Sequence, residues 1–174
     1  EQQQALAAAV SDETLLTRLD RRGDKGVELP AQALLVAAAR ACLRSHAPYT
    51  QCMAGIALQL TSGEVVTGSS LENVAFNPGV PPMQVALIAL LASLPTASVP
   101  PSTADVFASM IVQLVLVEQC ADSVGEGSST PQTSWEDHTR ILLAAIAPTA
   151  KMDVFTLRVS DEPTVGMPSM IAKV

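Results

Sequence analysis

From Met110 to Val117 the chain reads Met-Ile-Val-Gln-Leu-Val-Leu-Val, a nearly continuous run of β-branched and aliphatic residues. A strand of that composition must be covered on both faces, so its sheet needs a layer above and a layer below. The rest of the chain supplies those layers. Met53 to Leu60 and Glu64 to Gly68 read as two strands joined by Thr61-Ser62-Gly63, a hairpin signature. A helix opens at Pro30 and runs to about His46, with Leu35, Ala39, Cys42 and His46 on one side at helical spacing. Another runs from Met83 to about Leu94 and is apolar almost all round, which places it inside the protein. Ser134-Trp135-Glu136-Asp137 opens a further helix to about Ala147, with a capping hydroxyl and acids in its first turn. Val154 to Val159 alternates as a strand, and Gln2 to about Asp20 is expected to be helical. Polar or glycine-rich breaks fall at 21–26, 95–103 and 121–133. The resulting order predicts an α/β protein, a three-layer α/β/α arrangement around a mixed sheet.

A chain of 174 residues fits one domain. Apolar residues make up 48% and aromatics 3%, so the core is built from small aliphatic side chains. A formal charge of −7, with no basic run, argues against a nucleic-acid partner. The apolar run at 85–94 is too short to span a bilayer, so no membrane role is expected. Cys42, Cys52 and Cys120 stand apart with no CxxC pair and read as reduced thiols in a cytoplasmic-type compartment. No secretory signal pattern opens the chain. It begins at Glu1 rather than Met, which fits a processed form, a fragment or one half of something longer.

The segment most telling of function is Ser70-Leu71-Glu72-Asn73-Val74-Ala75-Phe76-Asn77-Pro78-Gly79-Val80-Pro81-Pro82-Met83-Gln84. Ahead of it stand Ala47-Pro48-Tyr49-Thr50, then Gly55-Ile56-Ala57-Leu58, Gly63 and Thr67-Gly68. Together these resemble the cytidine deaminase family, over roughly Lys25 to Val159 and most densely from Arg44 to Leu91. The resemblance implies a cytidine deaminase-like fold over 27–159, preceded by an N-terminal helical or linker segment, 1–26, and followed by a tail, 160–174. In a working member, a His or Cys and two further Cys bind zinc, which acidifies a water, and a Glu shuttles protons during attack on the cytosine ring. At those positions this chain carries Pro81 for the first ligand, Met83 for the Glu, and Gln132 and Trp135 for the two thiolates. The chain is therefore expected to hold no metal or other cofactor. Zinc is expected only in a catalytic partner domain. His46, His138 and Cys120 are not expected to rebuild the site, since one thiol does not make a tetrahedral zinc centre.

In this degenerate form the chain resembles the second domain of two-domain, dimeric cytidine deaminases, which keeps the fold without the metal. The resemblance implies that Val74 and Ala75 offer backbone groups, and Phe76 a ring wall, to a cytidine-type nucleoside in a partner's pocket. The partner would be a zinc-bearing cytidine deaminase domain or a copy of this chain. Glu72 and Asn73 correspond to a ribose-binding pair and are expected either as relics or as a structural hydrogen-bond pair capping the loop. Met83 and Trp135 are expected to fill volume that metal and ligands vacated, since empty cavities cost stability. A different reading is a stand-alone pseudoenzyme acting as a structural subunit of a larger assembly. A third, Cys120 as a nucleophile, lacks a paired base.

Overall fold

The computed structural model describes residues 10–23, 28–74, 79–94, 103–120 and 134–158. Its elements are α1 (Asp12–Thr17), β1 (Leu19–Arg22), α2 (Gln32–Leu43), β2 (Cys52–Leu60), β3 (Val65–Ser69), α3 (Pro82–Ser93), α4 (Thr103–Met110), β4 (Ile111–Cys120), α5 (Glu136–Ile146) and β5 (Lys151–Leu157). The five strands form one sheet in the order β1-β5-β4-β2-β3. β4 pairs parallel with β5, while the other pairings are antiparallel, so the sheet is mixed as expected. The parallel pair needs a crossover, and α5 provides it.

The apolar run of β4 lies at the centre, and its side chains alternate between two cores. Leu114 packs with Ile56 and Leu58 of β2, with Met83, Leu87 and Leu90 of α3, and with Leu143 of α5. Val115 and Val117 pack on the other face with Ala57, Phe155 and Leu157, covered by Leu34, Leu35, Ala38 and Cys42 of α2. α1 closes against the outside of α2 through Leu15, Val36 and Ala39. The arrangement is the expected α/β/α sandwich.

Two glycines set how closely the helices approach the sheet. A Cβ on Gly55 of β2 would overlap the backbone nitrogen of Cys42, and one on Gly68 of β3 would overlap the carbonyl oxygen of Pro82. α2 and the start of α3 therefore rest directly on strand backbone. Gly63 has φ +87° in the β2–β3 turn, where Leu60 and Glu64 close the hairpin through a 2.9 Å hydrogen bond.

The structure corrects several local expectations. The expected helix over 2–20 is described from Val10 onward, and there it is helical only at Asp12–Thr17. Ser11 caps that helix by accepting the Thr14 amide at 3.2 Å. Leu19–Arg22 is instead an edge strand, antiparallel to β5, with Leu19 opposite Leu157 and Arg22 opposite Val154. Pairing with residues far along the chain overrides the local helical pattern. The second helix ends at Leu43 rather than His46. Hydrogen bonds from His46 N to Ser70 O (2.9 Å) and from Glu72 N to His46 O (2.7 Å) draw the chain into an extended bridge. His46 is consequently exposed and not on an apolar helix face. α4 occupies residues just after the expected Pro/Ser loop and is not among the expected elements; β4 starts after it, at Ile111, and reaches Cys120. β5 begins at Lys151 and ends at Leu157. Among the described residues no helix is long and apolar enough to cross a membrane.

The close approach at Gly55 makes a prediction. Gly55→Ala is expected to destabilise the fold by about 3 kcal/mol, the upper end of ordinary overpacking costs, because backbone cannot step aside as a side chain can. Urea unfolding of the two proteins measures the difference.

Candidate functional site

The 70–84 segment divides at a backbone clasp. Ser70 donates its amide to Ala54 O (2.9 Å), and its buried hydroxyl accepts the Ala54 amide (3.2 Å). Leu71 and Val80 then exchange two hydrogen bonds, of 3.1 and 2.8 Å, while Glu72 N reaches back to His46 O. Leu71 and Val80 are thus clasped to each other on either side of the segment. Val74 is 86% exposed, and Tyr49 (60%) and Leu71 (45%) are exposed apolar side chains at the same end of the fold. Asn73 is exposed. Ala75 and Phe76 lie outside the described residues.

The Glu72 carboxylate turns toward the chain's own 47–50 turn. It accepts the amides of Tyr49 (2.8 Å) and Thr50 (3.2 Å) and the Thr50 hydroxyl. Thr50 Oγ1 in turn accepts the Cys52 amide at 3.1 Å. Gln51, next along the chain, has φ +55°, a backbone state that costs energy for a side-chain-bearing residue. The carboxylate satisfies amides that no helix or strand partner reaches. Partial burial pushes its pKa up. The Thr50 hydroxyl, the Tyr49 and Thr50 amides and the electrostatic influence of nearby His46 together outweigh this and hold it below the ordinary 4.5.

Beyond the clasp the chain goes inward. Pro81 is the N-cap residue of α3 and Pro82 its first residue, so two positions near the helix start carry no amide hydrogen. Met83 is fully buried (0% exposed) in the cluster with Ile56, Leu58 and Leu143. Trp135 precedes α5, where its ring is half-buried and meets His138 edge-on with centroids 6.1 Å apart. His138 Nδ1 is buried without a hydrogen-bond partner among the described residues. Gln132 lies outside the described residues, and Cys120 ends β4.

Zinc, the metal of a working family member, does not fit the described residues at these positions. Pro81 offers no side-chain donor, Met83 is sealed among aliphatic groups, and Trp135 presents an indole. Among the described residues no three His, Cys, Asp or Glu side chains gather in a metal-binding group.

One functional-type residue escaped the sequence reading. Glu118 of β4 is only 1% exposed yet carries a carboxylate. It accepts the Trp135 amide (2.6 Å), the Ser134 hydroxyl (3.0 Å) and Arg22 Nη1 (2.7 Å). An acid directly after a fully buried apolar run is a readable signal, because such a charge requires partners. A cleft of about 680 Å³ lies elsewhere, between β1, the start of β5 and the approach to α2, and includes Arg21, Glu28, Lys151 and Asp153. It shares no residue with the expected site. Arg21 pairs there with Asp153, which also accepts Gln113 Nε2 at 2.9 Å. The cleft is thus partly neutralised from within.

A family model described as "Cytidine and deoxycytidylate deaminase zinc-binding region" matches residues 1–130. A cytidine deaminase from Vibrio atlanticus is 53% identical over 76 residues, covering 44% of this chain and 25% of that protein. One from Cronobacter sakazakii is 52% identical over 62 residues, 36% of this chain and 21% of that protein. The matched stretch thus spans about a quarter of the length of these curated relatives. A solved cytidine deaminase from Burkholderia pseudomallei superposes with a TM-score of 0.48 at 20% identity, covering 72% of this chain and 83% of that one.

The Glu72 contacts predict a pH signature. Because its folded-state pKa lies below 4.5, ionised Glu72 stabilises the fold above that pH, and the contribution fades as pH falls through the lower folded value. The stability gap between wild type and Glu72→Gln should therefore be widest near neutrality and narrow in acid. Urea melts across a pH series measure it.

Proposed function

We propose, for a chain that belongs to the cytidine and deoxycytidylate deaminase family, a non-catalytic role: it associates with a zinc-bearing deaminase domain and helps to close that domain's nucleoside pocket. The observation that carries this reading is the opposite orientation of the two halves of one motif. Glu72 is spent on its own turn and Met83 is sealed in the core, whereas Val74 stands 86% exposed on a loop with a closed base.

Each residue then has a defined part. The backbone of Val74 and Ala75 would meet the ribose, and Phe76 would form a wall beside it. Exposed Tyr49 and Leu71 would lie at the contact between domains. Holding the loop at its base before the partner arrives reduces the ordering cost of association. Proton transfer cannot come from Met83, whose thioether has no exchangeable proton, so the acid–base group and the metal belong to the partner. That partner would convert cytidine or deoxycytidine to the uracil nucleoside and ammonia. Buried Cys42 and Cys52 are thiols, which fits a reducing, cytoplasmic compartment.

A pair of measurements tests this. The isolated chain should contain no stoichiometric zinc and should not deaminate cytidine. Adding it to an inactive or weakly active zinc-bearing domain should raise deamination, and Phe76→Ala should abolish that gain without altering the zinc content of the mixture. Stoichiometric zinc together with deamination by the chain alone would overturn the reading. An unchanged rate on mixing would point instead to a purely structural subunit.

Restoring the missing carboxylate should not restore activity. Met83→Glu places an unpaired acid among aliphatic side chains, and a loss of roughly 3–5 kcal/mol of stability is expected. Thermal or urea unfolding of the variant, alongside a deamination assay, checks both halves of that statement.

A further inference from the structure

The start of α5 is held by a carboxylate buried at the end of the central strand. Glu118 Oε1 accepts the Trp135 amide at 2.6 Å, and Oε2 accepts the Ser134 hydroxyl at 3.0 Å. Ser134 Oγ also receives the Glu136 amide at 3.2 Å, so two of the first amides around the helix start are satisfied by this pair of side chains. From the opposite side, Arg22 of β1 spreads its guanidinium over two elements. Nη1 donates to Glu118 Oε2 at 2.7 Å and Nε donates to Thr156 Oγ1 of β5 at 2.7 Å. Glu136 Oε2 lies 3.7 Å from the same Nη1, and Arg140 holds Glu136 from the next helical turn.

This is the helix start at which the family resemblance puts a thiolate, at position 135. In a metal-bearing domain the start of that helix is tied to the rest of the fold by ligand bonds, but here Trp135 meets Glu118 through its backbone amide. We infer that Glu118 and Arg22 together replace the metal as the tie between this helix and the sheet. A carboxylate that is 1% exposed is tolerated only if a cation and several donors meet it, and Arg22, Trp135 N–H and Ser134 supply them. The helix N-terminus adds its own positive end. The contacts join β1, β4, β5 and α5, spanning 96 residues from Arg22 to Glu118 and 17 from Glu118 to Trp135. A metal centre joins distant segments in the same way.

The fold therefore needs no metal to position α5, and the edge strand β1 becomes part of that positioning because it carries Arg22. This tie belongs to the isolated chain and is independent of the pocket-closing role.

The experiment uses the whole chain. Excess EDTA and added Zn²⁺ should each leave Tm unchanged. Glu118→Gln should lower Tm by on the order of 10 °C, the scale of breaking a buried ion pair in a chain of this size. Hydrogen exchange at the Trp135 amide should quicken about tenfold or more in Glu118→Gln and in Arg22→Ala, as local opening becomes easier. Arg22 is 36% exposed, so its truncation serves if Glu118→Gln does not fold. The two substitutions combined should cost less than the sum of their separate effects. A Tm that falls on chelation would overturn the inference. So would an Arg22→Ala protein whose Tm and Trp135 exchange match wild type.

Discussion

Burial of β4 on both faces is the constraint on which the rest of the structure depends. Leu114, Val115, Leu116 and Val117 are all essentially inaccessible, and their alternation demands α2 on one face and α3 with α5 on the other. Helices that close on a sheet this tightly need strand positions without side chains, hence Gly55 beneath α2 and Gly68 beneath α3. Polar chemistry is then confined to where the apolar run stops. Along β4 that point is Glu118 and Gln119, the first polar residues after Leu114–Val117, both buried. The candidate site is at that end because the middle of the sheet has no room for it.

Two carboxylates make different use of that end. Glu118 is buried and must be matched by a full cation, which Arg22 provides from an edge strand. Glu72 is half-buried and is satisfied by neutral donors, two amides and a hydroxyl, with His46 near by. The difference follows from solvation. Water still shares the charge of Glu72, whereas at Glu118 protein groups must carry nearly all of it. Both acids bind backbone amides at the ends of elements, so both act on chain geometry before anything else.

The sequence was legible where the signal was local. The β2–β3 hairpin was readable from alternating residues around Thr61-Ser62-Gly63, and α3 from Pro81-Pro82 followed by a largely apolar stretch broken at Gln84. β4 was readable from its aliphatic run. What escaped depends on partners far along the chain. Leu19-Asp20-Arg21-Arg22 becomes a strand only because β5 lies beside it, and its two arginines look like solvated charge until Glu118 and Asp153 are placed opposite them. His46 leaves the helix because Ser70 and Glu72 capture its backbone. Within the site, the residue types at 72, 81, 83 and 135 were readable one by one. That Glu72 faces its own turn, and that the 72–79 loop closes on Leu71 and Val80, was not, since both depend on tertiary hydrogen bonds.

The clasp between Leu71 and Val80 explains how one motif can serve two ends. Its two hydrogen bonds fix the exit and return of the loop independently of the residues beyond Val80. Residues on the inner side, Pro81 to Met83, answer only to core packing against β2, β3 and α5. On the outer side, Val74 is 86% exposed and has little core contact to lose. A substitution that changes packing on the inner side therefore leaves the Leu71–Val80 clasp in place. On the proposed function, that mechanical separation would let a deaminase-family domain keep a presenting surface while its own interior packs as ordinary hydrophobic core.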